Sequence, residues 1–261
     1  MYLRLRQIAL VARELEPVER LLTASLGAEV CYRDTGVARY GLHNALWGLG
    51  GTFLEVVAPT RPDTAAGRYL DRRQGDGGYM FIVDCDDLEA RRSHFQEMGV
   101  RIVEDINRGD AVLWSEALHL HPRDTGGCLL SVDRHSGGVD MLGGYRWAGP
   151  DWQGKARADV RISGAVMQCA EPAATAERWG RLMGRGVSAT GGGGFEIRLD
   201  NALARFVPAS DDRGEGLCAV CLACADLAGV MASAKAAGAR IIDEATCTAF
   251  EAGGVRFDLS G

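Results

Sequence analysis

Long apolar runs are missing from this sequence: the longest, Leu217 to Ala225, covers 9 residues, about half of the ~18 to 20 that a membrane-spanning helix needs. No membrane partner is expected. An excess of basic charge is missing as well. The chain has 29 Lys and Arg against 35 Asp and Glu, a net charge of −6, which leaves no counterion-release drive toward nucleic acid. The opening residues MYLRLRQIALVARELEP lack the apolar core and small-residue cleavage site of a secretory leader. Eight cysteines scattered over 261 residues form no dense framework, which fits thiols in a reducing cytoplasm rather than a disulfide scaffold. With 47% apolar and 25% charged residues, disordered, collagen-like and coiled-coil chains are excluded.

A repeated pattern is present. Four amphipathic segments each end at a glycine followed by a β-rich run: Leu15 to Leu26 before Gly27, Leu88 to Met98 before Gly99, Pro172 to Met183 before Gly184, and Leu227 to Ala237 before Gly238. Short apolar runs precede them (QIALVA, MFIVDC, AVMQCA, AVCLAC), and segments of period-two alternation follow, so each unit reads β-α-β-β-β. Residues 136–158 mix Gly, Pro, Trp and charge without periodicity and read as a linker. The expected domains are therefore 1–135 and 159–261, the last two units being shorter.

GGYMFIVDCDDLEARRSHFQEMGVRIVED, followed by HLHPRDTGGCLLSVD, resembles the second module of methylmalonyl-CoA epimerases, and GLHNALWGLGGTFLEVVAP is similar to a glyoxalase-like signature. Both belong to the vicinal oxygen chelate superfamily, also called glyoxalase-like or bleomycin-resistance-like. The resemblance implies an α+β fold of four βαβββ modules, paired into two curved mixed sheets with helices outside. It also implies a divalent metal held by strand residues of paired modules. Carried over, those positions fall on Gln7, Glu55, Met80 and Ser131 in the first half, and on Gly164, Ala204, Ala219 and Asp258 in the second. A dication needs several O or N donors, and thioether and hydroxyl are poor substitutes, so no metal and no other cofactor is expected.

Glu55 reads either as a cleft carboxylate able to act as a general base or as a group that only hydrogen-bonds Gln7 across the cleft. Met80 and Ser131 read as ligand-binding lining. His43, beside Asn44 on a strand, is the alternative proton carrier, because imidazole titrates near ~6.5. His119 and His121 share a strand face but read as a hydrogen-bonded or solvated pair. His94 and His135 read as solvent residues. Cys218, Cys221 and Cys224 are expected as buried small residues, with period two sending Cys221 to the face opposite the other two. Gly191 to Gly194 reads as a hairpin.

Two functions stay open: a metal-independent protein that binds a small molecule in the N-terminal cleft, or an isomerase, lyase or dioxygenase acting through Glu55 with His43 or through a rearranged set of Gln7, Glu55 and His119. The first is favoured by the missing ligands. The modules can pair within one chain or exchange partners in a homodimer.

Overall fold

The computed structural model describes residues 1–244 and 247–261. The first half contains β1 (Leu3–Val11), α1 (Leu15–Leu26), β2 (Val30–Tyr32), β3 (Leu42–Leu49), β4 (Thr52–Pro59), α2 (Ala65–Arg73), β5 (Gly77–Cys85), α3 (Leu88–Glu97), β6 (Ile102–Gly109), β7 (Trp114–Leu120), α4 (Pro122–Thr125) and β8 (Leu129–His135). The second contains β9 (Val160–Cys169), α5 (Pro172–Met183), β10 (Val187–Ala189), β11 (Phe195–Arg198), β12 (Leu203–Pro208), β13 (Gly216–Cys224), α6 (Leu227–Ala236), β14 (Arg240–Glu244), β15 (Cys247–Ala252) and β16 (Val255–Ser260).

The strands form two eight-stranded curled sheets, ordered β2-β3-β4-β1-β5-β8-β7-β6 and β10-β11-β12-β9-β13-β16-β15-β14. In each sheet the two modules meet along an antiparallel pair, β1 with β5 and β9 with β13, while β1–β4, β5–β8, β9–β12 and β13–β16 run parallel. The fold is thus the α+β arrangement of four modules in two halves. Each pair of modules closes within the chain, so the cleft needs no second copy.

The four helix stops behave as the sequence indicates. Gly27, Gly99, Gly184 and Gly238 have φ of 58°, 67°, 63° and 85°, the left-handed conformation that costs glycine no Cβ clash and frees the chain to turn back into a strand. The Gly191–Gly193 turn joins the antiparallel pair β10–β11, as a hairpin should.

Helices α1, α3, α5 and α6 cover the outer faces of the sheets, where the halves meet, while α2 packs at the cleft through Ala66 and Leu70. One apolar core runs through both halves. The Trp179 ring of α5 stands edge-on to Phe81 of β5 at 5.5 Å and to Phe206 of β12 at 5.4 Å, bridging the sheets with a side chain whose truncation in a core costs about 3–5 kcal/mol. The unanticipated α2 adds a polar tie. Its buried Arg73 donates from Nη1 to the carbonyls of Arg213, Gly214 and Glu215.

The segment 136–158 does more than link. Tyr145, Ala148 and Trp152 are buried against Leu46 and Phe53, with the Tyr145 ring stacked on Phe53 at 4.2 Å and Trp152 edge-on to it at 4.8 Å. It carries no strand, yet its aromatic rings wall one side of the first sheet.

Candidate functional site

The concave face of the first sheet encloses a cavity of about 190 Å³. Strand alternation decides what reaches it: Gln7 from β1, Leu42 and Leu46 from β3, Glu55 and Val57 from β4, Met80 and Ile82 from β5, and Leu129 and Asp133 from β8. Gln7, Glu55 and Met80 therefore come together as the sequence indicates. Asn44 joins them through Glu55, whereas Ser131, on the same face of β8 as Leu129 and Asp133, is fully buried and does not line the cavity as expected; its hydroxyl donates to Asp133 Oδ1.

Glu55 sits at the centre of a fixed network. The Asn44 amide donates to its Oε1 at 2.6 Å, and the Gln7 amide donates to its Oε2 at 2.7 Å. Both amides are oriented from behind: the Asp34 backbone N–H donates to Asn44 Oδ1 at 2.9 Å, and the Tyr145 hydroxyl donates to Gln7 Oε1 at 2.7 Å. Burial disfavours the ionised carboxylate and raises Glu55 to about 7, the two amides pulling it down and the Asp34 charge pushing it up. A carboxyl so placed is divided between acid and base at neutral pH.

A second carboxyl escaped the sequence reading. Asp133 is buried, accepts from Ser131 and from the Trp147 indole N–H at 2.9 Å, and is raised to about 7 by the same desolvation. The signal was present in LLSVDRH, because Leu129, Ser131 and Asp133 alternate onto one face. Its partner Trp147 comes from the segment expected to be a linker.

The histidines are redistributed. His43 lies between Leu42 and Asn44 on β3, and because Leu42, Asn44 and Leu46 face the cleft, His43 points to the opposite side and is not brought to Glu55. His119 reaches the cavity instead, and burial lowers it to about 4, leaving the ring neutral. His121 does not share its strand: it caps α4, with Nδ1 accepting from the Arg123 N–H at 3.1 Å. His135 is not a solvent residue but buried, its Nδ1 2.6 Å from Ser115 Oγ. His94 lies 2.8 Å from the Arg181 carbonyl.

The second half offers less, and register corrects one position there. Glu55 lies two residues beyond Phe53, the partner of Gln7; Gly164 pairs with Leu203, so the matching residue is Arg205, not Ala204, which is buried in the core. Arg205 lies 3.5 Å from Glu196, and Asp258 accepts from Arg256 at 2.6 and 2.9 Å. A bulge at Cys218 also shifts the alternation of β13. Leu217, Val220, Leu222 and Cys224 face the core, so Cys221 stands opposite Cys224, while Cys218 at the bulge lies outside that core.

Residues 8–183 match the family model of the Glyoxalase-like domain. The chain belongs to this family. The ethylmalonyl-CoA/methylmalonyl-CoA epimerase of Cereibacter sphaeroides is 24% identical over 131 residues, 50% of this chain and 97% of that protein. Human mitochondrial methylmalonyl-CoA epimerase is 23% identical over 132 residues, 50% of this chain and 73% of that one. Among solved structures, the Mn(II)-bound glyoxalase from Novosphingobium aromaticivorans is similar with a TM-score of 0.68 at 14% identity, covering 98% of this chain and 81% of that one. A hypothetical protein from Staphylococcus aureus gives 0.67 at 12% identity, covering 100% and 99%. These two likenesses establish the shared fold over the whole chain.

The metal that the glyoxalase-like resemblance implies does not fit these side chains. Both Glu55 oxygens already face amide N–H donors, the Gln7 carbonyl is taken by Tyr145, Met80 offers a thioether, and the Ser131 hydroxyl is committed to Asp133. Among the described residues no group of three or more His, Cys, Asp or Glu side chains is placed to hold a metal ion.

Proposed function

We propose that this glyoxalase-like protein binds a small molecule in its N-terminal cleft and exchanges a proton with it through Glu55, without a divalent metal or other cofactor. One observation carries the reading: a buried carboxyl held at about 7 in a largely apolar cavity, its two oxygens fixed by Asn44 and Gln7. Ionised Glu55 accepts the proton of a bound C–H or O–H group, and the two amides stabilise and orient the carboxylate before that step. Protonated Glu55 then returns the proton to the same or a neighbouring atom. Such chemistry is of the isomerase or lyase type, in keeping with the sequence relatives, which are epimerases. His43 has no part in it.

Binding without chemistry is the second reading, favoured by the engagement of both Glu55 oxygens within the protein. No described helix is long and apolar enough to cross a membrane, and the described cysteines are free, which supports the cytoplasmic placement we propose. The test is solvent-deuterium incorporation into a molecule found to bind by ligand-observed NMR, using protein treated with chelator. Incorporation with a midpoint near pH 7 that is lost in Glu55→Gln supports proton exchange; binding without incorporation supports the second reading.

A further inference from the structure

The charged groups of the cavity are unevenly placed. Glu55 and Asp133, both buried, form its inner wall. Arg108 lines the cavity from β6, the edge strand of the sheet, half-buried, where the turn Thr35–Tyr40 approaches. A Cβ on Gly36 of that turn would collide with Arg108 Nη1 and come within 2.9 Å of Asp34 Oδ1, so the glycine leaves space for the guanidinium, which stands near the Asp34 carboxylate without forming an ion pair with it. The neighbouring cation Arg39 is paired, with Glu104 at 3.1 Å. Among the described residues Arg108 has no ion pair.

Between these charged groups the wall is largely apolar, built from Val37, Leu46, Ile106 and Leu129 with the rings of Tyr40 and Tyr79, and His119 adds a polar group to it. His119 is a neutral ring that forms no hydrogen bond to any described residue. A neutral imidazole carries one donor and one acceptor, and this one is open to a bound molecule.

We infer that the cleft takes a small monocarboxylate with an apolar body, its carboxylate paired with Arg108 at the mouth and its far end set against Glu55. The guanidinium fork matches a carboxylate through two parallel hydrogen bonds. The opposite orientation places the anion beside Glu55 and Asp133, where no cation lines the cavity among the described residues. A single unpaired cation balances one negative charge; a dianionic phosphate would bring a second one toward Asp34, which also lines the cavity. His119 gives a carbonyl or hydroxyl partway along the ligand a partner. This rests on the reading of the N-terminal cleft as the ligand site and adds the class of molecule it accepts.

The test uses three probes of similar shape: 3-phenylpropionate, its uncharged amide 3-phenylpropionamide, and phenyl phosphate, titrated calorimetrically into the full chain at neutral pH. The carboxylate is expected to bind about tenfold or more tightly than the amide, the effect of one charge-assisted contact, and more tightly than the phosphate. Arg108→Gln should bring carboxylate and amide to within about twofold by removing that contact, and Arg108→Lys should restore part of the preference, with denaturant unfolding confirming that both variants fold. Failure of 3-phenylpropionate to bind, equal affinity for carboxylate and amide, a preference that survives Arg108→Gln, or tighter binding of phenyl phosphate would overturn the inference. Arg108-dependent binding without Glu55-dependent deuterium incorporation would leave it standing and strike only the proton-exchange reading.

Discussion

Replacing Glu55 with Gln should change how stability depends on pH, by an amount set by its burial. In the unfolded chain a Glu ionises near 4.5, whereas folded Glu55 holds its proton to about 7. Below pH 4.5 both states are protonated and the contribution is fully present. Between 4.5 and 7 the unfolded state releases a proton that the folded state keeps, so stability falls by about 1.4 kcal/mol per pH unit, about 3 kcal/mol in all. Above 7 the loss is complete. The amide of Glu55→Gln does not titrate and can still accept from Asn44, and Gln7 can turn so that its carbonyl receives the new N–H while Tyr145 accepts from its amide. The stability of wild type minus variant should therefore decline by about 3 kcal/mol from pH 4.5 to pH 8. Asp133, raised like Glu55, and His119, lowered and so acting in the opposite direction, are common to both proteins and cancel in the difference. Urea unfolding followed by circular dichroism at several pH values reads it directly. A difference that is flat with pH, or that grows in favour of wild type as pH rises, would refute the reasoning.

Asn44→Ala removes the donor at Glu55 Oε1 and should move the Glu55 midpoint further above 7, while costing about 1–3 kcal/mol at pH 8; carboxyl chemical shifts and urea unfolding check the two effects. Tyr145→Phe keeps the ring stacked on Phe53 but frees Gln7 Oε1, a loss of about 1 kcal/mol, whereas Tyr145→Ala should cost several-fold more in the same unfolding assay. Dialysis against a strong chelator should leave the melting temperature and ligand affinity unchanged, because the donors at Gln7, Glu55, Met80 and Ser131 do not suit a dication; a fall in either measurement contradicts that.

What the sequence disclosed was mostly local. A helix with one apolar face and a glycine stop is encoded within about four turns, so four modules were visible before any tertiary contact was known. Gln7 and Glu55 were identified from the glyoxalase-like resemblance, and their mutual hydrogen bond followed. His43 was misplaced because β3 is buried along almost its whole length: LHNALWGL has no polar alternation from which to read a face. The bulge at Cys218 and the register of β12, which sets Arg205 where Ala204 was expected, arise from pairing between strands and leave no mark in either strand alone. Asp133 was readable by alternation. Its protection was not, since Trp147 is an indole from a nonperiodic segment 14 residues away in the chain, as Tyr145 is a hydroxyl delivered to Gln7 across 138 residues.

The proposed proton exchange depends on a Glu55 carboxyl divided between acid and base at neutral pH without help from a metal. Side-chain carboxyl ¹³C shifts of glutamate-labelled, chelator-treated protein, followed from pH 4 to pH 9, test it most directly. One resonance should titrate with a midpoint near 7 and be absent from Glu55→Gln. A Glu55 resonance that titrates near the ordinary ~4.5, or that reaches neutrality only when a divalent ion is added, would contradict it.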